Sequence, residues 1–507
     1  MPHIFLIFCL IWIQAAAQVG QPPELHIKTS SGIINGKYNN TAQTVRGFIG
    51  VPYAEPPVGR LRWEPPRPKS PPSHPIDAFS FSNPCAQVYT YSNESIWSIL
   101  PYKIWNAANM SEDCLYMNIW APSTKHHSKK RKAAVMMFIH GGSYASGSGS
   151  VSYYDGTNLV QDDEDIIAVT FNYRLNIFGF PNSPGLDPKK QNLGLLDQRM
   201  AIEWVHMNIG NFGGDPNRIL LFGQSAGASS ADLYSYAAST SLKKFDPLVS
   251  AFALHSGTAP LLLSPPDHEN WNNLSTDLGC DIGKRSHYCM NQIPAMRIVE
   301  TRAQGNYNFY PVVDELLVFS DYVARCDKGQ LARLPTLAGM TERECSALVP
   351  LNQVSVNMTE IYEVGRFRYN SHRIRVRHNV TTWRYLYHGN FSSLSLTTWL
   401  GAYHGVTPAE IPMVFGTYNF SSASSTSIEV QASKYIQGAW TSFAKDPLTG
   451  LRAYGWPQYR FNGVDDKLIV IEPTLINIAF NNTIPAVLSS APWDHSCKDV
   501  IVQRSEL

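Results

Sequence analysis

The sequence lacks an excess of either charge, since its 507 residues include 41 Lys and Arg against 40 Asp and Glu. A protein that binds nucleic acid needs a basic surface for the phosphates, so this balance gives no indication of a nucleic-acid partner. The chain also lacks the polar bias of disordered proteins, because 44% of its residues are apolar and 12% are aromatic. These absences predict a large, neutral, globular protein and leave its chemistry open.

Long hydrophobic runs are absent as well. No later stretch offers the roughly 18 uninterrupted apolar residues of a membrane-spanning helix, so we expect no stable membrane insertion. The N-terminal run Ile4–Ile13 is itself too short to span a bilayer, and three small residues, Ala15–Ala17, follow it. This pattern predicts a secretory signal peptide over residues 1–17 and a secreted protein, although the usual positive charge before the run is missing. A buried N-terminal helix is the alternative.

Glycosylation sequons and cysteines agree with export. The Asn-X-Ser/Thr sequons are glycosylation candidates and start at Asn39, Asn93, Asn109, Asn273, Asn357, Asn379, Asn390, Asn419 and Asn481. Disulfides are expected in an oxidising compartment. Loss of Cys9 with the signal would leave seven of the eight cysteines, an odd number that keeps at least one thiol out of intrachain pairing. Spacing does not fix the pairs, although Cys280 and Cys289 are close enough to close a small loop.

Apolar runs of strand length recur along the chain and alternate with helical patterns. The runs are Ala133–Ile139, Ile166–Phe171, Ile219–Phe222, Phe252–Leu254, Leu334–Leu337, Trp383–Tyr387 and Leu468–Ile471. Between them, Leu195–Ile209 repeats its apolar residues at helical spacing. Such alternation predicts an α/β fold with a mostly parallel central sheet flanked by helices. In such sheets the active groups lie at the carboxyl ends of the strands.

The first motif at a strand end is Gly223-Gln224-Ser225-Ala226-Gly227, which follows the apolar run Ile219–Phe222. A sharp strand-to-helix turn of this kind exposes the serine hydroxyl, and small flanking residues are needed because larger side chains would collide. The following residues, 228–236, can form a helix whose N-terminus favours developing negative charge. Ser225 is therefore a candidate nucleophile; a structural serine in a glycine turn is the alternative.

The second motif, His140-Gly141-Gly142-Ser143, follows the run Ala133–Ile139. A glycine-rich turn here can direct backbone N–H groups at one point, and with the N–H of Ala226 it predicts an oxyanion hole formed by Gly142, Ser143 and Ala226. We interpret His140 as a scaffold residue and not as a base.

A serine nucleophile of this architecture needs an acid and a histidine base, in that order along the chain. Glu342 and Glu344 both follow the run Leu334–Leu337 and compete for the role of the acid. His404 lies between glycines on a late segment and is the candidate base. Spacing alone does not decide between the two glutamates.

Further motifs carry a resemblance to the type-B carboxylesterase/lipase family, the cholinesterase-like branch of the α/β-hydrolases. They cover the chain from about residue 19 to residue 494 and stand at Gly50–Gly59, Ser111–Asn118, Asn172–Arg174, Gly194–Arg199, Phe212–Pro216 and Trp456-Pro457. The segments Gly438–Trp440 and Phe443–Pro447 are most similar to secreted fungal members. The resemblance implies an α/β-hydrolase fold in which residues 18–507 form a single catalytic domain.

The resemblance also implies roles for individual residues. The family's catalytic triad corresponds to Ser225, Glu344 and His404, which decides against Glu342. Ser256 corresponds to a serine that supports the acid in relatives. The family's first two disulfides imply the pairs Cys85–Cys114 and Cys280–Cys289, which leaves three cysteines unassigned: Cys326, Cys345 and Cys497.

The implied activity is hydrolysis of uncharged carboxylic esters through an acyl-enzyme intermediate, with no metal and no organic cofactor. The expected partner is a small-molecule or lipid ester, and the oligomeric state is open. Trp105 resembles the choline-stacking tryptophan of cholinesterases, but Gln224 replaces the glutamate that precedes their nucleophile. We therefore expect Trp105 to pack in a generic apolar gorge. A choline-ester hydrolase, a lipase or acyltransferase of a secondary-metabolite pathway, and a non-catalytic adhesion-type homologue are the alternatives.

Overall fold

The computed structural model describes residues 22–88, 110–125, 131–237, 247–341, 375–389, 391, 409–419, 424–459, 474–480 and 483–489. The strands are β1 (His26–Thr29), β2 (Gly32–Asn35), β3 (Lys37–Tyr38), β4 (Val45–Pro52), β5 (Ile76–Asp77), β6 (Tyr116–Pro122), β7 (Ala133–Ile139), β8 (Ile166–Phe171), β9 (Gly214–Gln224), β10 (Ala251–His255), β11 (Thr336–Thr341), β12 (Thr382–Tyr387), β13 (Thr474–Phe480) and β14 (Thr483–Ser489).

The α-helices are α1 (Thr157–Asp162), α2 (Asn176–Gly179), α3 (Leu193–Asn208), α4 (Ala226–Ala237), α5 (Glu269–Asp277), α6 (Ser286–Asn291), α7 (Ala295–Gln304), α8 (Tyr322–Asp327), α9 (Glu410–Phe415), α10 (Ser427–Lys445) and α11 (Gly450–Ala453). Short 3₁₀ helices lie at Pro23–Leu25, Gly59–Leu61, Ser152–Tyr154, Pro188–Lys190, Ile209–Phe212 and Gly283–Arg285.

An 11-stranded sheet in the order β14-β13-β12-β11-β10-β9-β7-β8-β6-β4-β3 runs through the centre of the fold. The strands from β8 to β13 in this order pair in parallel, whereas β14 at one edge and β6, β4 and β3 at the other pair antiparallel. A separate 3-stranded sheet joins β1, β2 and β5. The prediction of an α/β fold with a mostly parallel sheet is confirmed.

Strand β7 shows how the sheet is buried on both faces. All seven of its residues are apolar and buried, and successive side chains enter different hydrophobic clusters. Val135, Met137 and Ile139 belong to the cluster that includes residues of α3 and α4. Ala134, Met136 and Phe138 belong to the cluster that includes residues of α9 and α10. This alternation is the two-residue period of a strand, and it requires helices on both sides of the sheet.

The predicted strands match the structure best where both faces are buried. The runs 133–139 and 166–171 coincide with β7 and β8, and the predicted helix Leu195–Ile209 is observed as α3. The predicted strand Leu334–Leu337 differs from the structure, in which β11 begins at Thr336 and ends at Thr341. The run Leu468–Ile471 lies outside the described residues.

Helix α10 begins at a capping box and brings two buried side chains to places used below. The Thr426 hydroxyl oxygen accepts a hydrogen bond from the Glu429 N–H at 3.2 Å, and the Glu429 carboxylate accepts one from the Thr426 N–H at 3.3 Å. This reciprocal pairing satisfies two N–H groups that a helix start would otherwise leave open. The helix places the Trp440 side chain against His255 and the Gln437 side chain in the lining of a polar cavity.

Both implied disulfides form, Cys85–Cys114 and Cys280–Cys289. Cys326 is buried and forms no disulfide, while Cys345 and Cys497 lie outside the described residues. None of the helices in the described part of the chain is long and apolar enough to cross a membrane.

A buried ion pair fixes the loop after β8 against α3. The Arg174 guanidinium donates to both oxygens of Asp197 at 2.7 and 2.8 Å, and the Arg174 backbone N–H donates to the same carboxylate at 3.0 Å. Arg174 is 3% exposed and Asp197 is fully buried. Because a buried charge is tolerated only with a partner, each side chain requires the other.

We predict that Asp197→Ala lowers the free energy of unfolding by about 3–5 kcal/mol, because it leaves the Arg174 charge buried and unpaired. Glu203→Ala is the control on the same helix, since the Arg199–Glu203 pair has side chains 37% and 46% exposed. That control should cost less than about 1 kcal/mol. Chemical denaturation of the two variants provides the measurement, and equal losses would contradict the prediction.

Candidate active site

The registers of neighbouring strands bring the two predicted turns and the end of β10 to one edge of the sheet. Ile139 of β7 pairs with Gly223 of β9, Gln224 of β9 with His255 of β10, and His255 with Gly339 of β11. The residues that follow these strand ends therefore lie side by side, and they include His140, Ser225 and Ser256. Backbone hydrogen bonds continue the row, because the Ser225 N–H donates to the His255 oxygen at 2.8 Å and the Ser256 N–H to the Gly339 oxygen at 3.0 Å.

Ser225 occupies a sharp turn between the end of β9 and the start of α4. Its φ of +56° lies in the left-handed region, which a residue with a Cβ seldom adopts. Gln224 and Ala226 on either side are buried, whereas Ser225 is partly accessible. The Ser225 carbonyl accepts from the Ser229 N–H at 2.9 Å, so the helix begins directly at the turn. The predicted elbow is present, and its geometry exposes the one side chain that the sequence motif singled out.

Glycines permit the close backbone contacts around this elbow. A Cβ on Gly223 would lie 2.5 Å from the Gly227 oxygen, and a Cβ on Gly227 would lie 2.8 Å from the His140 oxygen. Distances under 3.0 Å are not tolerated between a Cβ and backbone atoms. The start of α4 therefore packs directly on the end of β7 with no room for a side chain, as the motif predicts.

The glycine-rich turn after β7 lies against the nucleophile. A Cβ on Gly141 would be 3.1 Å from the Ser225 Cβ. Gly142, Ser143 and Tyr144 all have positive φ, at +110°, +53° and +55°. Gly142 and Ser143 are partly accessible, as Ser225 is. The two predicted motifs thus meet at one accessible point, and Ser143 adopts a strained conformation where a glycine would not be strained.

His140 is a buried scaffold residue. Its Nδ1 lies 2.8 Å from the Gly141 oxygen, and its ring stacks on Tyr173 with centroids 4.5 Å apart. The Tyr173 hydroxyl donates to the His140 carbonyl at 2.9 Å. Burial lowers the pKa of His140 from 6.5 to about 4, opposed weakly by the bond to Gly141. The ring is therefore neutral at physiological pH and donates its Nδ1 proton to the turn that it supports.

His255 belongs to a buried polar network that the sequence did not predict. The Trp440 indole N–H donates to His255 Nε2 at 3.0 Å, so the ring proton is on Nδ1, 2.7 Å from the Tyr385 hydroxyl. Glu410 Oε1 lies 3.7 Å from the same Nδ1. The ring thus joins β10 to β12, α9 and α10 immediately beneath Ser256. In the sequence, the only sign of this network is that His255 directly precedes Ser256, because the partners of His255 are far from it along the chain.

A second buried ion pair attaches α4 to the segment that precedes β12. Arg375 pairs with Asp232 on α4, and the other Asp232 oxygen accepts from the Ala259 N–H at 2.8 Å. Arg375 also donates to the Ser235 hydroxyl at 2.9 Å. These contacts hold the helix that follows the nucleophile, and no sequence motif marked them.

Several predicted site residues are placed and others are not described. Ser256 is buried, and Gln224 is 5% exposed with its amide beside Gly141, where a Cβ would lie 2.6 Å from Gln224 Oε1. The residues outside the described part of the chain are Trp105, Glu342, Glu344, His404 and the sequons at Asn93, Asn109, Asn357, Asn390 and Asn481. Among the described sequons, Asn273, Asn379 and Asn419 are exposed and Asn39 is half-buried.

We predict that Gly227→Ala lowers ester hydrolysis at least about 100-fold, because displacing the elbow by about 1 Å misplaces the nucleophile. The added methyl should also cost about 1–3 kcal/mol of folding free energy. Gly210→Ala is the control, since the nearest atom to a Cβ there is Lys132 Nζ at 3.6 Å. Initial rates and denaturation curves of both variants test this, and unchanged activity in Gly227→Ala would be inconsistent with the packing.

We predict that the buried His140 makes the free energy of unfolding depend on pH in the acid range. Because its pKa is lower in the folded than in the unfolded protein, the unfolded state binds the proton first, and stability falls as the pH drops from about 6.5 to about 4. The full contribution is about 3 kcal/mol. In His140→Phe, which keeps a ring beside Tyr173, this part of the pH dependence should disappear. Unfolding free energies measured across this pH range test it, and parallel curves for the two proteins would refute it.

Comparisons with known proteins agree with this geometry. The model of the Carboxylesterase family matches residues 23–382. A chlorogenic acid esterase of Aspergillus niger is 36% identical over 88% of this chain and 90% of its own length. Secreted lipase 5 of Gibberella zeae is 32% identical over 93% of this chain and 94% of its own length. An acetylcholinesterase of Electrophorus electricus is 31% identical over 68% of this chain and 54% of its own length.

The family match covers the strands from β1 to β11, the elbow and the glycine-rich turn. Two fungal relatives extend the similarity over nearly the whole chain. The resemblance found in the sequence motifs is confirmed: the chain belongs to the carboxylesterase family of α/β-hydrolases and is a carboxylic ester hydrolase.

Proposed function

We propose that the enzyme hydrolyses uncharged carboxylic esters through an acyl-enzyme intermediate on Ser225. The observation that carries this proposal is the left-handed, partly accessible Ser225 at the junction of β9 and α4, with Gly141 packed against its Cβ. A hydroxyl in this position can attack a carbonyl carbon while the carbonyl oxygen faces the turn after β7.

In the proposed mechanism, His404 removes the Ser225 proton as the hydroxyl oxygen attacks the ester carbonyl, and Glu344 orients and stabilises the resulting imidazolium. The N–H groups of Gly142, Ser143 and Ala226 hold the oxyanion. Each such donor is worth about 3 kcal/mol in the transition state.

The tetrahedral intermediate then collapses, and His404 protonates the departing alkoxide. Water attacks the acyl-enzyme with His404 again as the base, which releases the acid and restores Ser225. The end of β11 at Thr341 supports an acid in the segment that follows this strand, and the family motif assigns the role to Glu344 and not to Glu342.

Two features support an uncharged substrate. Gln224, next to the nucleophile, carries no charge and lies beside Gly141, so it offers no counter-ion to a cationic ester. The names of the two relatives that span nearly the whole chain, a chlorogenic acid esterase and a lipase, support acyl esters as the substrate class.

A choline-ester hydrolase is the second candidate. The similarity to acetylcholinesterase favours it, and a tryptophan such as Trp105 could hold a quaternary ammonium group by a cation–π contact. The neutral Gln224 disfavours it. A lipase or acyltransferase would use the same nucleophile, whereas an adhesion-type homologue has no need of the accessible serine.

We also propose that the enzyme is secreted, with residues 1–17 as a cleaved signal peptide and residues 18–507 as a single catalytic domain. The two disulfides and the exposed sequons support an oxidising, glycosylating route, as does the secreted fungal lipase among the relatives.

A covalent probe tests the nucleophile. We predict that a fluorescent organophosphonate labels the native enzyme with one adduct on the peptide that contains Ser225, and that Ser225→Ala abolishes both labelling and ester hydrolysis. Ser152→Ala, which removes an exposed serine, should retain both. Peptide mass spectrometry locates the adduct, and a native protein that is not labelled would falsify the mechanism.

A substrate panel separates the candidates. The enzyme should turn over p-nitrophenyl acetate and a neutral aryl or long-chain ester with a higher kcat/KM than an acylthiocholine of equal acyl length. An equal or higher kcat/KM for the thiocholine would assign the site to choline esters instead.

A further inference from the structure

A polar cavity of about 200 Å³ opens between α1, α9 and α10, and no residue of the elbow or of the glycine-rich turn lines it. Its lining consists almost entirely of polar side chains, chiefly Asn158, Asp162, Tyr418, Asn419, Lys434 and Gln437. Pockets for apolar ligands are lined predominantly by hydrophobic and aromatic side chains. This cavity therefore has the wrong lining for an acyl chain and is a separate site.

The floor of the cavity contains a buried amide with an unused acceptor. Gln437 is 4% exposed, and its Nε2 donates to the Ser433 hydroxyl at 3.0 Å. Ser433 in turn donates to the Met413 oxygen at 2.8 Å, which fixes the amide with its nitrogen toward Ser433. Among the described residues, nothing donates to Gln437 Oε1. A buried acceptor of this kind is costly unless a donor reaches it.

The walls carry no net charge. Asp162 and Lys434 form an ion pair with each other. The Asn158 amide donates to the Gly416 oxygen at 2.7 Å, which joins α1 to the end of α9. Balanced charges disfavour an anion or a cation as the ligand, and amides with one ion pair favour a neutral molecule that has many hydroxyl groups.

Tyr418 and Gly416 shape the cavity wall. Burial, together with the charges of Glu429 and Asp162, raises the pKa of Tyr418, so its phenol remains a neutral donor. Gly416 has a φ of +70°, and a Cβ there would lie 3.1 Å from the Gln437 amide and from Asn158. A side chain at this position would fill the space above the amide, so the cavity depends on the glycine.

Asn419 lies at the exposed rim and begins the sequon Asn419-Phe420-Ser421. A glycan on its amide nitrogen therefore starts at the mouth of the cavity. We propose that this cavity binds the first N-acetylhexosamine of a glycan attached to Asn419, and that a donor of that sugar pairs with Gln437 Oε1. The recognised chemistry is a neutral N-acetylated sugar, whether attached at Asn419 or free in solution.

The first test uses the full-length enzyme secreted from a glycosylating host. Glycopeptide mass spectrometry should find Asn419 occupied. An endoglycosidase that leaves one N-acetylglucosamine on the asparagine should not change Tm, because the sugar in the cavity remains. Asn419→Gln should lower Tm by about 2 °C or more. Asn273→Gln, which removes an exposed sequon on α5, should have a smaller effect. An unoccupied Asn419 would overturn the proposal.

The second test is a double-mutant cycle of Asn419→Gln with Gln437→Met. If the sugar pairs with Gln437, the glycan stabilises the native protein but not Gln437→Met, and the two changes are not additive. Gln437→Met also loses the hydrogen bond to Ser433, but this loss is the same with and without the glycan and therefore cancels in the cycle. Additive effects on Tm would overturn the proposal, because the glycan would then be merely solvated.

The third test separates an attached sugar from a free one. N,N′-diacetylchitobiose is titrated against unglycosylated Asn419→Gln and against the glycosylated enzyme. Saturable stabilisation of only the unglycosylated protein supports occupation of the cavity by the enzyme's own glycan. Saturable stabilisation of both would show that the attached glycan leaves the cavity empty, which would overturn the assignment to Asn419.

Discussion

The start of α4 packs so closely on the end of β7 that no side chain fits between them, and this contact fixes the positions of the nucleophile and the glycine-rich turn. Gly227 lies on the Ile139 and His140 carbonyls, Gly223 on Gly227, and Gly141 on Ser225. Contacts between backbones are stiffer than contacts between side chains, since neither partner can change rotamer. The nucleophile and the glycine-rich turn are therefore held at a fixed separation by sterics, and the left-handed conformations of Ser225 and Ser143 follow from that packing.

Buried ion pairs hold the surrounding helices to this arrangement. Arg174–Asp197 attaches α3 to the loop after β8, and Arg375–Asp232 attaches α4 to the segment before β12. Replacing such a pair by apolar residues is often neutral for stability, so their value lies in placement. Because a buried charge needs its partner within hydrogen-bond distance, each pair restricts where its helix can dock.

The sequence predicted what local chemistry specifies and missed what distant residues assemble. The elbow around Ser225 and the turn after His140 were recognisable, because glycines at fixed spacing after an apolar strand have few other uses. The antiparallel strands at one edge were not predicted, since Arg46, Gly47 and Gly50 interrupt the buried strand β4 and leave no continuous apolar run. The disulfide pairs came from family resemblance, not from spacing. The network of His255 joins residues from β10, β12, α9 and α10, and a contact between such distant segments has no local signature.

The two described histidines nearest the nucleophile narrow the choice of base. His140 is buried, with Nδ1 committed to the Gly141 oxygen and a pKa lowered to about 4, so it binds a proton poorly. His255 accepts from Trp440 at one nitrogen and bonds to Tyr385 at the other, so neither nitrogen is available to Ser225. Both rings thus stabilise the site without exchanging protons with the nucleophile. The proposed base is therefore another of the 15 histidines, and the family motif assigns that role to His404.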